Sequence, residues 1–443
     1  MQCQDVVSLT HDNSDAVVDP TADYVKAAFL AHDPMLEVKK SYADKMEKEA
    51  VRDLIREKRG ILILDLDHTL FQVTLRSISK DFPSLQVWNV DTEMKHSGKL
   101  LEGKTYWFNL DSSPQGPPFF IHLRPGLYSF LTEVSKLFEL YAYTQGTNEY
   151  ARKILGMIDP SGDFFGAPLR LIAREIDPAT GHATRKNLSR VFPNEEGLVL
   201  IIDDRDDVWD SNASWSNLIK LSPFLFFQDK EREKLFAITP TSDSAFHPFV
   251  RDDNAIQPST VIDTQLEYLK RLLYDLHAEV FFGGKTPELE GEQNFSFPSV
   301  LIDRKSNLFS QCEFTKNSKV GNNVYKLIKQ YGGTIVDRKS TSCSNGGGKI
   351  LVNLGGLGQA RRGDEPDLIH PWFVLFSICT LTVLTEKQMI EWFSMETIDR
   401  EGFLNMWETV VDSTVTSNKD DGMDGAASGE DQDELDLLAD IMN

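Results

Sequence analysis

The sequence predicts an α/β fold: a doubly wound parallel sheet carrying a β-rich insertion, followed by a second, small α/β domain. Three observations lead there. Ile61-Leu62-Ile63-Leu64 and Leu198-Val199-Leu200-Ile201-Ile202 are short and wholly apolar, the pattern of strands buried on both faces. Stretches of helical spacing alternate with further short apolar runs, as βαβ units require. Both apolar runs end in acids, Asp65-Leu66-Asp67 and Asp203-Asp204, and open parallel sheets gather their ligands at the carboxyl ends of strands.

A chain of 443 residues is too long for one ordinary core, so two or three domains are expected. Hydrophobic residues at 41% and charged residues at 26% place it among globular proteins. The net charge of -22 has the wrong sign for direct nucleic-acid binding. An anionic ligand must then be held by local cations or a metal. Cys3, Cys312, Cys343 and Cys379 form no C-x-x-C pair, so no zinc site is expected and a reducing compartment suits them. The longest mostly apolar run, Trp372 to Leu384, has 13 residues, too short for a bilayer; no membrane partner is expected.

In order, residues 1–34 are expected to be disordered, and residues 35–230 to form the main domain. Ala43, Met46, Ala50, Leu54 and Ile55 fall at helical spacing between Met35 and Lys58, and Gly60 ends that helix. Segments between Leu70 and Pro118 alternate between Gly and Pro clusters and predict the β-rich insertion. Phe119–Leu123 reads as a strand, Arg124-Pro125-Gly126 as a turn, Leu127–Phe138 as a helix and Glu139–Tyr143 as a strand. A helix over Glu149–Met157 and strands over Leu169–Arg174 and Gly197–Ile202 follow. Residues 231–295 are expected to be a linker with a connecting helix, Thr264–Phe282. Residues 296–396 form the second domain, with a helix over Val324–Gly333, strands at Thr334–Val336 and Ile350–Val352, and a last helix after Pro371. Residues 397–443 are expected to be an acidic, flexible tail. Within it, Leu435, Leu438, Ile441 and Met442 share one helical face.

Candidate site residues lie at the ends of the predicted strands: Asp65 and Asp67, Thr144, Lys186, and Asp203 with Asp204. Two crowded carboxylates repel each other, and a divalent cation relieves that repulsion. Each residue also has an ordinary reading. D-x-D-x-T is equally an Asp-rich turn, Thr144 a helix cap, Lys186 a solvated lysine, and Asp203-Asp204 a charged turn.

Together the motifs resemble the haloacid-dehalogenase superfamily, and within it the phosphatases of the RNA polymerase II C-terminal domain, of the transcription-factor-IIF-associating type. The resemblance covers roughly residues 60–230. It rests on Asp65-Leu66-Asp67-His68-Thr69-Leu70, Leu123-Arg124-Pro125-Gly126-Leu127, Tyr143-Thr144-Gln145-Gly146 with Tyr150-Ala151, Asp159-Pro160, and Ile202-Asp203-Asp204-Arg205 with Val208-Trp209. It implies Asp65 as nucleophile and Asp67 as general acid and base. Thr144 and Lys186 would bind phosphate. Mg2+ would be held by Asp65, Asp67 and Asp204, with support from Asp203. Leu221–Phe227 resembles the family's closing strand, and His277 falls in a helix like one of the family's. The second domain resembles a BRCT domain. The implied substrate is the phosphorylated polymerase tail, the implied location the nucleus, and the implied partner of residues 430–443 transcription factor IIF. The alternative is a non-catalytic, BRCT-containing scaffold that recruits transcription partners.

Overall fold

In the computed structural model the described residues are 24–26, 37–75, 85–174, 184–192, 196–227, 239–247, 265–283, 288–336, 349–355 and 368–387, less a few within those ranges. Residues 397–443, with the predicted tail helix, lie outside them.

Five parallel strands form the main sheet, in the order Leu218–Lys220, Val199–Asp203, Gly60–Leu64, Phe138–Tyr143, Leu171–Ile172. The central strand, Gly60–Leu64, is buried along its whole length, as is Val199–Asp203. That is why neither alternates in polarity: both faces of each are covered. The covering helices include Leu127–Val134, Asn148–Ile158 and Gln265–Phe282. The last of these lies in the predicted linker region. Its apolar face, including Leu266, Leu273 and Leu276, belongs to the same core as the central strand. His277 on that helix bonds through Nε2 to the Lys58 carbonyl at 2.6 Å and packs on Phe138 and Phe281.

Phe119–Leu123 is a strand, but of the insertion. It pairs antiparallel with Phe71–Thr74 and with Thr105–Phe108, and Val87–Asn89 completes a four-stranded sheet. The insertion also carries a helix, Val90–Ser97. The Asn89 side chain caps its start by accepting from the Thr92 amide at 3.0 Å. The expected closing strand at Leu221–Phe227 is displaced: the edge strand is Leu218–Lys220. The ladder reaches one residue further, where the Leu221 amide donates to the Asp203 carbonyl at 3.0 Å. Pro223 has no amide to continue it. Phe224, Phe226 and Phe227 turn inward instead, against Leu85, Val87 and Phe120 of the insertion.

Tyr24–Lys26, within the stretch expected to lack structure, pairs with Glu37–Lys39, where the expected helix from Met35 was to begin. Thr239–Thr241 pairs with Ser244–His247 in the expected linker.

The C-terminal unit is a three-stranded parallel sheet, Thr334–Val336, Cys312–Thr315, Ile350–Val352. Its central strand is the one that periodicity passed over. Asn322–Gln330 and Trp372–Thr380 are its helices. Gly332 sits at φ +83, and a Cβ there would meet the Ser306 carbonyl oxygen at 2.1 Å, so only glycine fits behind that first helix. No described helix is long and apolar enough to cross a membrane.

Candidate active site

The parallel register assembles the site. Leu64 pairs with Ile202 on one side and Ala142 on the other. Asp65, Asp203 and Thr144 therefore emerge together at the carboxyl edge of three neighbouring strands. The Asp65 amide donates to the Ile202 carbonyl at 2.9 Å, which fixes it one step beyond its strand.

Lys186 enters from a loop. Its amide donates to the Val208 carbonyl at 2.8 Å, and it bridges Trp209. Its ammonium is 1% exposed and donates to Asp65 Oδ1 at 2.5 Å and to Asp203 Oδ2 at 2.7 Å. Asp203 is engaged further: Oδ2 accepts from Trp209 Nε1 at 2.8 Å, and Oδ1 from the Arg205 amide at 2.8 Å. Asp203 thus orients Lys186 and the loop that carries Asp204.

Asp67 is held from the opposite side. Tyr150 Oη donates to its Oδ1 at 2.5 Å. Tyr150 stands in the first turn of Asn148–Ile158, whose cap is Thr147, not Thr144. Thr144 Oγ1 instead accepts from the Gly146 amide at 2.9 Å, so its own hydroxyl proton points elsewhere. A Cβ on Gly146 would lie 2.7 Å from Tyr150 Cδ1 and 3.3 Å from Thr144 Oγ1; glycine is what lets these groups converge. Directly after Asp67, His68 takes a left-handed backbone, φ 61. Its amide donates to Phe71 and its carbonyl accepts from Phe224 at 2.6 Å, pinning the loop at both sides. The buried Arg124 guanidinium donates to the Thr69 carbonyl at 3.0 Å.

Electrostatics follow from this crowding. Burial, then Asp203, pushes the Asp65 carboxyl well above its ordinary range, against the pull of Lys186. Burial, then Asp203, pushes Asp204 up to about 6. Burial raises Asp67, with the Tyr150 bond opposing it. Burial alone would lower Lys186, but Asp65 and Asp203 outweigh it, and the ammonium is held more firmly than usual. One ammonium among three clustered carboxylates leaves negative charge to be neutralised. Oxygens of Asp65, Asp203 and Asp204 lie within 4.8 Å of one another. A hard divalent cation fits such a donor set.

All six predicted residues thus lie at one edge of the sheet. Tyr150, Trp209 and Arg124 stood in the sequence motifs without a role. Tyr150 could have been found from its place in the first turn of the helix that follows Thr144. Trp209 and Arg124 required the fold.

Comparison with known proteins agrees. Residues 60–252 match the family model described as NLI interacting factor-like phosphatase. An RNA polymerase II C-terminal domain phosphatase of Schizosaccharomyces pombe is 38% identical over 187 residues, which are 42% of this chain and 24% of the relative. Its Saccharomyces cerevisiae counterpart is 32% identical over 210 residues, 43% of this chain and 27% of the relative. The RNA polymerase II C-terminal domain phosphatase-like 4 of Arabidopsis thaliana is 26% identical over 309 residues, 66% and 62% of the two chains. The chain spans about a quarter of the length of the first two. A solved structure of Fcp1, an essential RNA polymerase II CTD phosphatase, superposes with a TM-score of 0.51 at 23% identity. That match covers 78% of this chain and 99% of the other, a likeness of fold. The matched stretch carries the five-stranded parallel sheet, an α/β fold like that of the solved structure.

Proposed function

We propose that this chain is a protein serine phosphatase acting on the phosphorylated C-terminal repeat domain of RNA polymerase II, through an aspartyl-phosphate on Asp65. One observation carries the reading. Asp65, Lys186 and Asp203 close into a single buried cluster at 2.5 and 2.7 Å, with Asp67 and Thr144 on the adjoining turns.

In this reading Asp65 Oδ attacks phosphorus as the serine oxygen departs. Asp67, whose carboxyl burial pushes upward, holds a proton to give to that oxygen, and then takes one from the water that releases phosphate. Tyr150 keeps Asp67 aimed. The Thr144 hydroxyl and the Lys186 ammonium hold the phosphoryl oxygens, and positioning with charge neutralisation supplies most of the catalysis. Mg2+, held by Asp65, Asp204 and the Asp67 carbonyl with Asp203 in support, would supply the positive charge the cluster lacks. Residues 296–396 are read as BRCT-like on their parallel three-stranded core, and residues 430–443 as a segment for transcription factor IIF. The place of action is read as the nucleus. A scaffold without catalysis has no use for a closed acid–lysine cluster.

The test is phosphate release from doubly phosphorylated Ser-Pro repeat peptides with Mg2+. Asp65→Asn should reduce release to background, and a chelator should stop the wild-type reaction. Full activity in Asp65→Asn would remove the covalent step.

A further inference from the structure

Lys305 is buried, 4% exposed, and stands outside the carboxylate cluster. It lies on the helix Phe297–Asn307, in line with Phe297 and Leu301, at the four-residue spacing of one helical face. Those two residues pack into the core of the main sheet. One turn on, the Lys305 ammonium donates to the Trp215 carbonyl at 2.6 Å and to the Leu218 carbonyl at 2.7 Å. It also lies 5.0 Å from the Trp215 ring centre. Trp215 belongs to the short helix Ser211–Ser216, and Leu218 opens the edge strand. Helix ends and sheet edges both leave carbonyls unsatisfied, and a single ammonium satisfies one of each.

No carboxylate pairs with Lys305 among the described residues. Asp206 is the acid that acts on it, and Asp206 is itself bound to Lys220 at 2.7 Å. Burial drives the Lys305 pKa down to about 7. A charge kept where burial opposes it needs a reason in the groups it touches.

Those groups lead straight to the acids. In the edge strand, Lys220 pairs in register with Asp203, and the Leu221 amide donates to the Asp203 carbonyl. Asp203 in turn orients Lys186. On the other side, the same helix runs into the C-terminal unit: the Phe309 amide donates to the Tyr331 carbonyl at 2.8 Å, and the Tyr331 ring meets the Trp215 ring edge-on at 5.2 Å.

We infer that Lys305 is a positioning residue for the proposed reaction: by fastening Trp215 and Leu218 it sets the edge strand so that the loop 203–209 presents Asp203 to Lys186, and it makes the C-terminal unit a structural part of the site. This rests on the phosphatase reading.

The experiment uses the full chain and Lys305→Met, which keeps the stem and removes the donors. With a phosphorylated repeat peptide, kcat should fall about tenfold or more while KM changes less than about twofold, because misaligned groups lose rate before they lose binding. Amide hydrogen exchange should accelerate about tenfold over residues 201–221 and stay unchanged over Phe138–Tyr143, which reports the global fold. An unchanged kcat would overturn the inference, as would equal acceleration in both segments. If the wild-type chain released no phosphate at all, the phosphatase reading would fail, while the exchange pattern would still decide whether Lys305 holds the segment.

Discussion

Tyr150→Phe isolates the contact that aims Asp67. The ring stays, 3% exposed and tilted against Phe119 with centres 6.0 Å apart, so packing survives. Only the hydroxyl and its 2.5 Å bond to Asp67 Oδ1 are removed. A hydrogen bond to a charged group contributes about 1.5–3 kcal/mol. At about 1.4 kcal/mol per factor of ten, kcat/KM toward a phosphoserine peptide should fall about ten- to hundredfold. A second readout follows from the charge. The bond opposes the burial that pushes Asp67 upward. Without it Asp67 keeps its proton to higher pH, so the descending limb of the kcat/KM profile, which reports loss of the donated proton, moves to higher pH. A limb that stays in place or moves to lower pH would refute the assignment of Tyr150 and Asp67 together.

Other perturbations test neighbouring links. Lys186→Met leaves Asp65 and Asp203 buried without their shared cation; denaturant midpoints at pH 7 should show a loss of about 3–5 kcal/mol, smaller as the pH falls, because burial already pushes the Asp65 carboxyl toward its protonated form. Asp204, pushed up to about 6, binds its proton more tightly folded than unfolded. Its contribution is therefore present in acid and lost as pH rises through about 4 to 6. Metal-free Asp204→Asn should show a flatter melting-temperature profile than wild type across that window, and Mg2+ should raise the wild-type value above it. Gly146→Ala places a Cβ 2.7 Å from the Tyr150 ring and should lower peptide turnover more than Tyr150→Phe does. Gly156→Ala, where a Cβ meets nothing within 4 Å, should leave turnover intact and serves as its control.

Much of the site was legible because it sits where local pattern and topology agree. Two unbroken apolar runs ending in acid mark the central strands, and the parallel order brings their ends to one edge whatever the loops do. Where local signals compete, reading by periodicity fell short. Phe119–Leu123 has the composition of either sheet, and only its partners Phe71–Thr74 and Thr105–Phe108 assign it. Leu221–Phe227 is apolar enough for a strand, yet Pro223 and the aromatic cluster against the insertion end the ladder at Leu221. Cys312–Thr315 is too short and too mixed in polarity to announce itself, although two strands pair with it.

By itself, the sequence determined the fold class, the order of the motifs and the identity of the acids, because these depend on residue type and short-range spacing. The tertiary structure alone decided what the charges do. Lys186 reads locally as an ordinary solvated lysine, and Lys305 stands in no sequence motif. One is buried because two carboxylates, Asp65 and Asp203, close on it from neighbouring strands. The other is buried because a helix from beyond the main sheet sets it over two unpaired carbonyls. Burial energy depends on partners distant in sequence, and no local pattern encodes them.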